Sequence, residues 1–166
     1  YPSKSGDLSN YGVFFPDFLK NQEIGRQLNY LDKLAELCWL GKQAGLIKAD
    51  KAPNLWFRLI FKRQRVKLLL NPNCQLYNSD CNLYQLWDFI HQPAKQDNFK
   101  LSPKKEFLLI YKAPSLIIKC LSEDEYNFLN QLKTAKTIEQ LQAIWPVIRL
   151  NQLANRFYQQ RIIKLA

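Results

Sequence analysis

From Tyr11 to Lys20, aromatic residues and leucine recur at helical spacing, and Pro16 falls where the fixed φ of proline suits a first turn. A second helical pattern follows Asn29, a residue type that caps helices, with Asp32 placed to favour the positive end. Its polar positions, Asn29, Asp32, Lys33, Glu36 and Gln43, form a narrow stripe, and Leu28, Leu31, Leu34, Leu37, Cys38, Trp39 and Leu40 cover the rest. A helix this apolar is expected to be buried on more than one side, as the spine of an N-terminal helical unit. A shorter helix is expected after Pro53, carrying Leu55, Trp56, Leu59 and Ile60. Residues 65–70, RVKLLL, read as a short strand broken by Asn71-Pro72. Leu83, Leu86, Trp87 and Ile90 then return to helical spacing.

The polar, proline-bearing stretch at 91–105 marks the expected cut. It separates an N-terminal helical domain, 1–92, from a C-terminal domain, 106–166, with 93–105 as linker. Beyond it the period changes. EFLLIYK (106–112) and LIIKCLS (116–122) are apolar and rich in β-branched or aromatic residues, and Ala113-Pro114-Ser115 joins them, which predicts a β-hairpin. Ser122 with Glu125, and Thr137 with Gln140, have capping-box spacing and predict two helix starts. The second helix should stop near Pro146, and a last one should run from about Leu150 with Leu153, Phe157 and Ile162 inward. The fold class expected is α+β: an N-terminal helical unit followed by a small winged-helix-like unit made of the hairpin and short helices.

Length and composition narrow the classes. The 166 residues, 47% hydrophobic and 13% aromatic, suit one domain or two small units with a packed core, and exclude global disorder. No apolar run is long enough to cross a bilayer. The polar start does not read as a signal sequence, and a chain without methionine is not expected to begin naturally at Tyr1. Net charge is +10, and between Lys42 and Lys67 eight cations face only Asp50. Such a belt attracts nucleic acid or an acidic protein surface, and charge alone does not choose between them.

Most catalytic chemistry is absent. The chain holds four cysteines and one histidine, His91. Six residues separate Cys74 from Cys81, which does not fit the tight ligand pairs of structural zinc sites, although Cys74, Cys81 and His91 together remain a minority metal reading. Cys38 and Cys120 lie in apolar patterns and read as small buried hydrophobes; a reducing, cytoplasmic location is the default. His91 reads as a solvated helix-end residue, and no phosphate loop, metalloprotease motif or paired-carboxylate signature occurs. The acidic run Glu123-Asp124-Glu125 reads as helix capping. The chain is expected to be non-catalytic.

Four segments occur together in order: FPDFLK (15–20), LNYLDKLAELCW (28–39), LLLNPNCQLYNSDCNLYQLW (68–87) and EFLLIYK through CLSEDEYNFLNQL to TIEQL (106–141). Together they resemble the DNA-binding-domain family of HvfC and BufC, whose shorter relative is the methanobactin biosynthesis protein MbnC, over most of residues 14–145. The resemblance implies a non-catalytic partner of a multinuclear non-heme iron oxidase, TIM-barrel-like and MbnB-like. It implies binding of the leader of an MbnA-like precursor peptide, whose cysteines the complex converts to oxazolone and thioamide. The iron then belongs to the partner, and this chain carries neither metal nor other cofactor. Cys38 departs from the family, standing where glutamate is more usual before the tryptophan; Cys74 and Cys81 fill slots usually held by other residues, and so read as bystanders. The chain is also short for HvfC or BufC, which favours the MbnC-like reading.

A flexible leader is best gripped by an exposed strand edge, where main-chain hydrogen bonds give affinity and alternate side chains give register. The hairpin is therefore the expected leader site, through Phe107, Leu109, Tyr111, Leu116 and Ile118. The expected partner interface takes aromatic and arginine anchors: Trp56, Phe57, Arg63, Arg65, Tyr77 and Trp87. The alternative is a winged-helix DNA-binding regulator using the basic belt and the arginines of the last helix.

Overall fold

The computed structural model describes residues 12–28, 30–47, 65–91 and 100–166. Within them the fold is α+β. In chain order the elements are α1 (Phe15–Asn21), α2 (Glu23–Gln27), α3 (Leu31–Gln43), β1 (Lys67–Leu70), β2 (Gln75–Cys81) and α4 (Leu83–His91). There follow β3 (Pro103–Lys112), β4 (Leu116–Leu121), α5 (Glu123–Gln131), β5 (Lys136–Thr137), α6 (Ile138–Gln142), α7 (Val147–Gln159) and β6 (Ile163–Leu165). No helix among the described residues is long and apolar enough to cross a membrane.

Two compact units form, and they are not the two expected domains. One takes residues 1–44 and 78–106, the other 45–77 and 107–166. The reason lies in strand pairing. A four-residue strand cannot stand alone, and β1 finds its partners far along the chain: Lys67 opposite Thr137, and Leu68, Leu69 and Leu70 opposite Leu165, Lys164 and Ile163. Residues 67–70 thus belong with the C-terminal half. Of the expected linker, residues 103–105 are strand β3, and 93–99 lie outside the described residues.

In the first unit, α1 opens with Pro16 in its first turn, as expected. Helix α3 carries Asp32 in its first turn and Lys42 in its last, both complementary to the helix dipole. The expected cap, Asn29, lies outside the described residues, as does the helix expected after Pro53. Burial departs from expectation: α3 buries only Leu37 and Gly41, and α1 and α2 bury nothing. Helix α4 is fixed from a distance. The buried Glu106 carboxylate accepts the Tyr84 N–H at 2.9 Å, satisfying one of the donors orphaned at a helix start, and Lys104 pairs with it at 3.1 Å. Beside it, buried Asn82 accepts the Ser102 N–H at 2.8 Å and donates to the Lys100 carbonyl at 3.0 Å.

The second unit holds a continuous core in which Leu68, Leu109, Phe128, Ile138, Leu153 and Phe157 are almost wholly buried. Phe128 meets Trp145 edge-on at 5.7 Å and stacks with Phe157 at 6.1 Å. Both capping boxes form. Ser122 Oγ accepts from Glu125 N–H at 3.2 Å while Glu125 accepts from Ser122 N–H at 2.9 Å; Thr137 and Gln140 do the same at 3.2 and 3.0 Å. The last helix starts at Val147, just after Pro146, rather than near Leu150.

Asn71 ties the N-terminal strand of this unit to its end. The Asn71 N–H donates to the Ile162 carbonyl at 2.8 Å and its side-chain amide to the Arg161 carbonyl at 3.0 Å, while Arg161 itself takes a positive φ of 59°. The Asn71 side chain also accepts from Asn73 N–H at 3.0 Å, and Asn73 in turn donates to the Leu46 carbonyl at 2.8 Å. Gly45 sits so close that a Cβ there would lie 2.2 Å from Asn73 Oδ1, which only glycine avoids.

Candidate peptide-docking edge

The predicted hairpin forms in register, with Phe107 opposite Leu121, Leu109 opposite Lys119 and Lys112 opposite Leu116. It is not a free pair. The sheet order is β2-β3-β4, so β3 is the central strand and both its edges are occupied. Near its end Lys112 also bridges in parallel to Leu46, with Ile47 N–H donating to the Lys112 carbonyl at 2.8 Å.

This changes what the predicted leader residues can do. Phe107, Leu109 and Tyr111 point into the core of their unit, where Phe107 packs on Tyr126 at a ring separation of 4.7 Å. Ile118 is also buried and Leu116 is half-buried. Their side chains hold the sheet together rather than lining an open surface. The sheet's two edge strands are β2 and β4, and on β4 Lys119 is exposed. Alternation along β3 puts Leu108 and Ile110 on the opposite face, and both are fully buried too.

Of the predicted interface residues, Trp56, Phe57 and Arg63 lie outside the described residues. Arg65 is exposed; Tyr77 and Trp87 are half-buried. Trp87 stacks on His91 at 3.9 Å, and His91 Nδ1 lies 2.9 Å from the Trp87 carbonyl, so the lone histidine sits exposed at the end of α4 as expected.

None of the four cysteines is joined in a disulfide. Cys74 is a core residue, and burial pushes its thiol up to about 12, so it stays protonated and unreactive in the folded state. Cys81 is buried with its Sγ 3.4 Å from Ser79 Oγ. Cys38 and Cys120 correct the expectation, since both are exposed. Cys120 is exposed on β4, opposite Leu108 of β3. Cys38 borders an apolar hollow of about 480 Å³ in the first unit, walled by Phe15, Leu19, Leu31, Leu34 and Trp39, and partial burial there raises its thiol pKa. Among the described residues no three histidine, cysteine or acidic side chains gather as a metal site.

The basic residues of α7 have partners. Asp124 accepts from Trp145 Nε1 at 2.8 Å and from Arg149 Nε at 2.7 Å, and Glu125 pairs with Arg156. Partial desolvation pushes the Asp124 carboxyl up, but the Trp145 and Arg149 hydrogen bonds and the Arg149 charge outweigh it, and the net shift is downward. Sequence reading took Glu123-Asp124-Glu125 only as capping. The i to i+25 and i to i+31 reach of the last two to α7 had no local signal.

No protein-family model matches the chain, and no curated protein matches it at a significant level.

Proposed function

We propose that this chain is the non-catalytic subunit of a heterodimeric, iron-dependent oxidase that modifies cysteines of a small precursor peptide, as the ordered MbnC-like segments suggest. It grips the leader of the precursor and presents the cysteines to the partner for conversion to oxazolone and thioamide. The partner, an MbnB-like iron oxidase, holds the iron. The reading sets this work in the reducing cytoplasm, the default for four cysteines that do not form a disulfide-dense pattern.

The observation that carries this reading is the position of β4 as the last strand of its sheet. An unpaired strand edge offers a row of N–H and C=O groups to an extended peptide. The buried hairpin side chains support the proposal in a different role from the one expected: they make the edge rigid, so a leader gains hydrogen bonds without ordering the receptor. Holding the leader raises the effective concentration of the tethered cysteines at the iron, which is what a dedicated subunit contributes.

Co-expression with a candidate iron oxidase and a cysteine-bearing peptide tests the function. A salt-tolerant 1:1 complex that turns the peptide over, and loses turnover without this chain, is the expected result; undiminished turnover in its absence overturns it. Two proline variants test the edge. N–H groups of successive strand residues point to opposite sides, so one of Ile117→Pro and Ile118→Pro breaks the bond to β3 and the other only the outer edge. The variant that keeps its fold should lose leader affinity at least tenfold, and full affinity there rejects the edge.

The second reading, a winged-helix DNA-binding regulator, draws on the succession α5, β5, α6, α7, β6, which is the order of a winged unit. Against it, Arg149 and Arg156 of the would-be reading helix are engaged by Asp124 and Glu125. It requires duplex binding that weakens steeply with salt through counterion release.

A further inference from the structure

The β5-β1-β6 sheet collects positive charge from three separate stretches of sequence. Leu68 and Leu70 of β1 face the core, so Lys67 and Leu69 face out. The residues opposite them share their side: Thr137 faces Lys67 and Lys164 faces Leu69. Lys67 and Lys164 are thus diagonal neighbours, about 7–8 Å apart at the backbone, and both are exposed. Arg65, two residues before Lys67, is exposed as well. None of the ion pairs among the described residues involves Arg65, Lys67, Lys133 or Lys164. Like charges on neighbouring strands cost the isolated fold a little and help nothing within it.

Leu69 stands half-buried among these cations. It also borders a hollow of about 340 Å³, walled by Leu70, Leu76 and Lys133 with Asn71 and Gln75 at its polar side. That is the small end of the range of about 300–1,000 Å³ for ligand pockets, enough for an anchoring side chain rather than an extended cofactor. The hollow is lined by polar and apolar groups alike, and Leu69 is the apolar residue that this face presents amid its cations. Single-stranded nucleic acid is held by aromatic platforms, and the outward residues of this sheet, Lys67, Leu69, Thr137 and Lys164, include none. Duplex DNA is read by an inserted helix, and α7 has its arginines engaged.

We infer that this face docks a short, extended, acidic segment of a protein partner. One apolar side chain of that segment enters the hollow beside Leu69, and its carboxylates lie against Lys67, Lys133 and Lys164. The site is separate from the β4 edge and stands whether or not the leader binds there.

The test uses the full chain and fluorescence anisotropy at about 0.15 M salt, where surface charges act over about 8 Å. The probes are a labelled peptide Glu-Asp-Glu-Leu-Glu-Asp-Glu, the same peptide with serine for leucine, and a short DNA duplex. The leucine peptide should bind at least tenfold tighter than the serine peptide, as burial of one leucine predicts, and tighter than the duplex. Lys67→Glu with Lys164→Glu should weaken it more than tenfold while the unfolding midpoint stays put, and Lys100→Glu should leave it unchanged. Equal binding of both peptides, a duplex that binds as well, indifference to the charge reversal, or no binding by the folded chain would each overturn the inference.

Discussion

Helices α1 to α3 and helices α5 to α7 are drawn from similarly apolar sequence, yet they spend it differently. The first three bury two residues between them, Leu37 and Gly41, and leave Phe14 67% exposed at the start of α1. The last three bury Phe128, Leu129, Ile138, Leu141, Leu150, Leu153, Ala154 and Phe157 against one another and the sheets. Hydrophobic periodicity states that a helix has an apolar face; only tertiary partners decide whether that face is covered. Capping differs too: α5 and α6 have complete boxes, whereas α1 and α2 have no side-chain cap.

The thiols give the largest contrast. At about pH 8 the exposed Cys120 and Cys38 should label in the native chain, Cys38 the more slowly because burial raises its thiol pKa. Cys74 and Cys81 should wait for unfolding, slower by a factor on the order of 10³ or more, since a core residue reacts only through opening. Mass spectrometry of timed labelling with peptide mapping reads this directly. Cys74 labelling as fast as Cys38 would erase the distinction between the two regions.

Phe128→Ala should lower the unfolding free energy by about 3–5 kcal/mol, through lost burial and the cavity left between Trp145 and Phe157. Phe14→Ala, at the N-cap of α1, should stay within about 0.5 kcal/mol of the parent. Urea melts of both variants suffice, and comparable losses would show that α1 carries as much stability as the core.

Much of the second unit was legible in the residues. The hairpin, both capping boxes and the helix stop near Pro146 each have a local cause within four residues, so local sequence reports them. Strands β5 and β6, of two and three residues, are too short to show a period, and β2, reading QLYNSDC, is too polar to announce itself. The division into units failed for a related reason: a polar stretch was taken as a boundary, while long-range pairing of β1 set the real one. The candidate docking residues were half legible. Their strands were found, but alternation alone could not reveal that β3 is central and its side chains sealed on both faces. Glu106 went unnoticed as a helix-capping group because its contact with Tyr84 spans 22 residues.

Glu106 sharpens the comparison, since in the first unit it supplies the kind of capping that local boxes supply in the second. Glu106→Leu should cost about 1–3 kcal/mol by leaving the half-buried Tyr84 N–H without its acceptor. Glu106→Gln keeps an acceptor oxygen and should cost less. Equal losses would mean that packing at this site, not the hydrogen bond, fixes the start of α4.

The smallest expected effect concerns the link between α5 and α7. The Asp124 carboxyl is held below its unfolded value, so its contribution is present above the unfolded carboxylate pKa of about 3.9 and fades as pH falls through the folded one. The side chain is 40% exposed, and solvent screening keeps the effect below about 1 kcal/mol. Asp124→Asn should therefore be slightly less stable than the parent near neutrality, and the difference should shrink as pH falls below about 4. Thermal melts at stepped pH follow it. A gap that persists unchanged into acid would assign the loss to the Trp145 and Arg149 hydrogen-bond geometry, leaving the charge of Asp124 no part in joining the two helices.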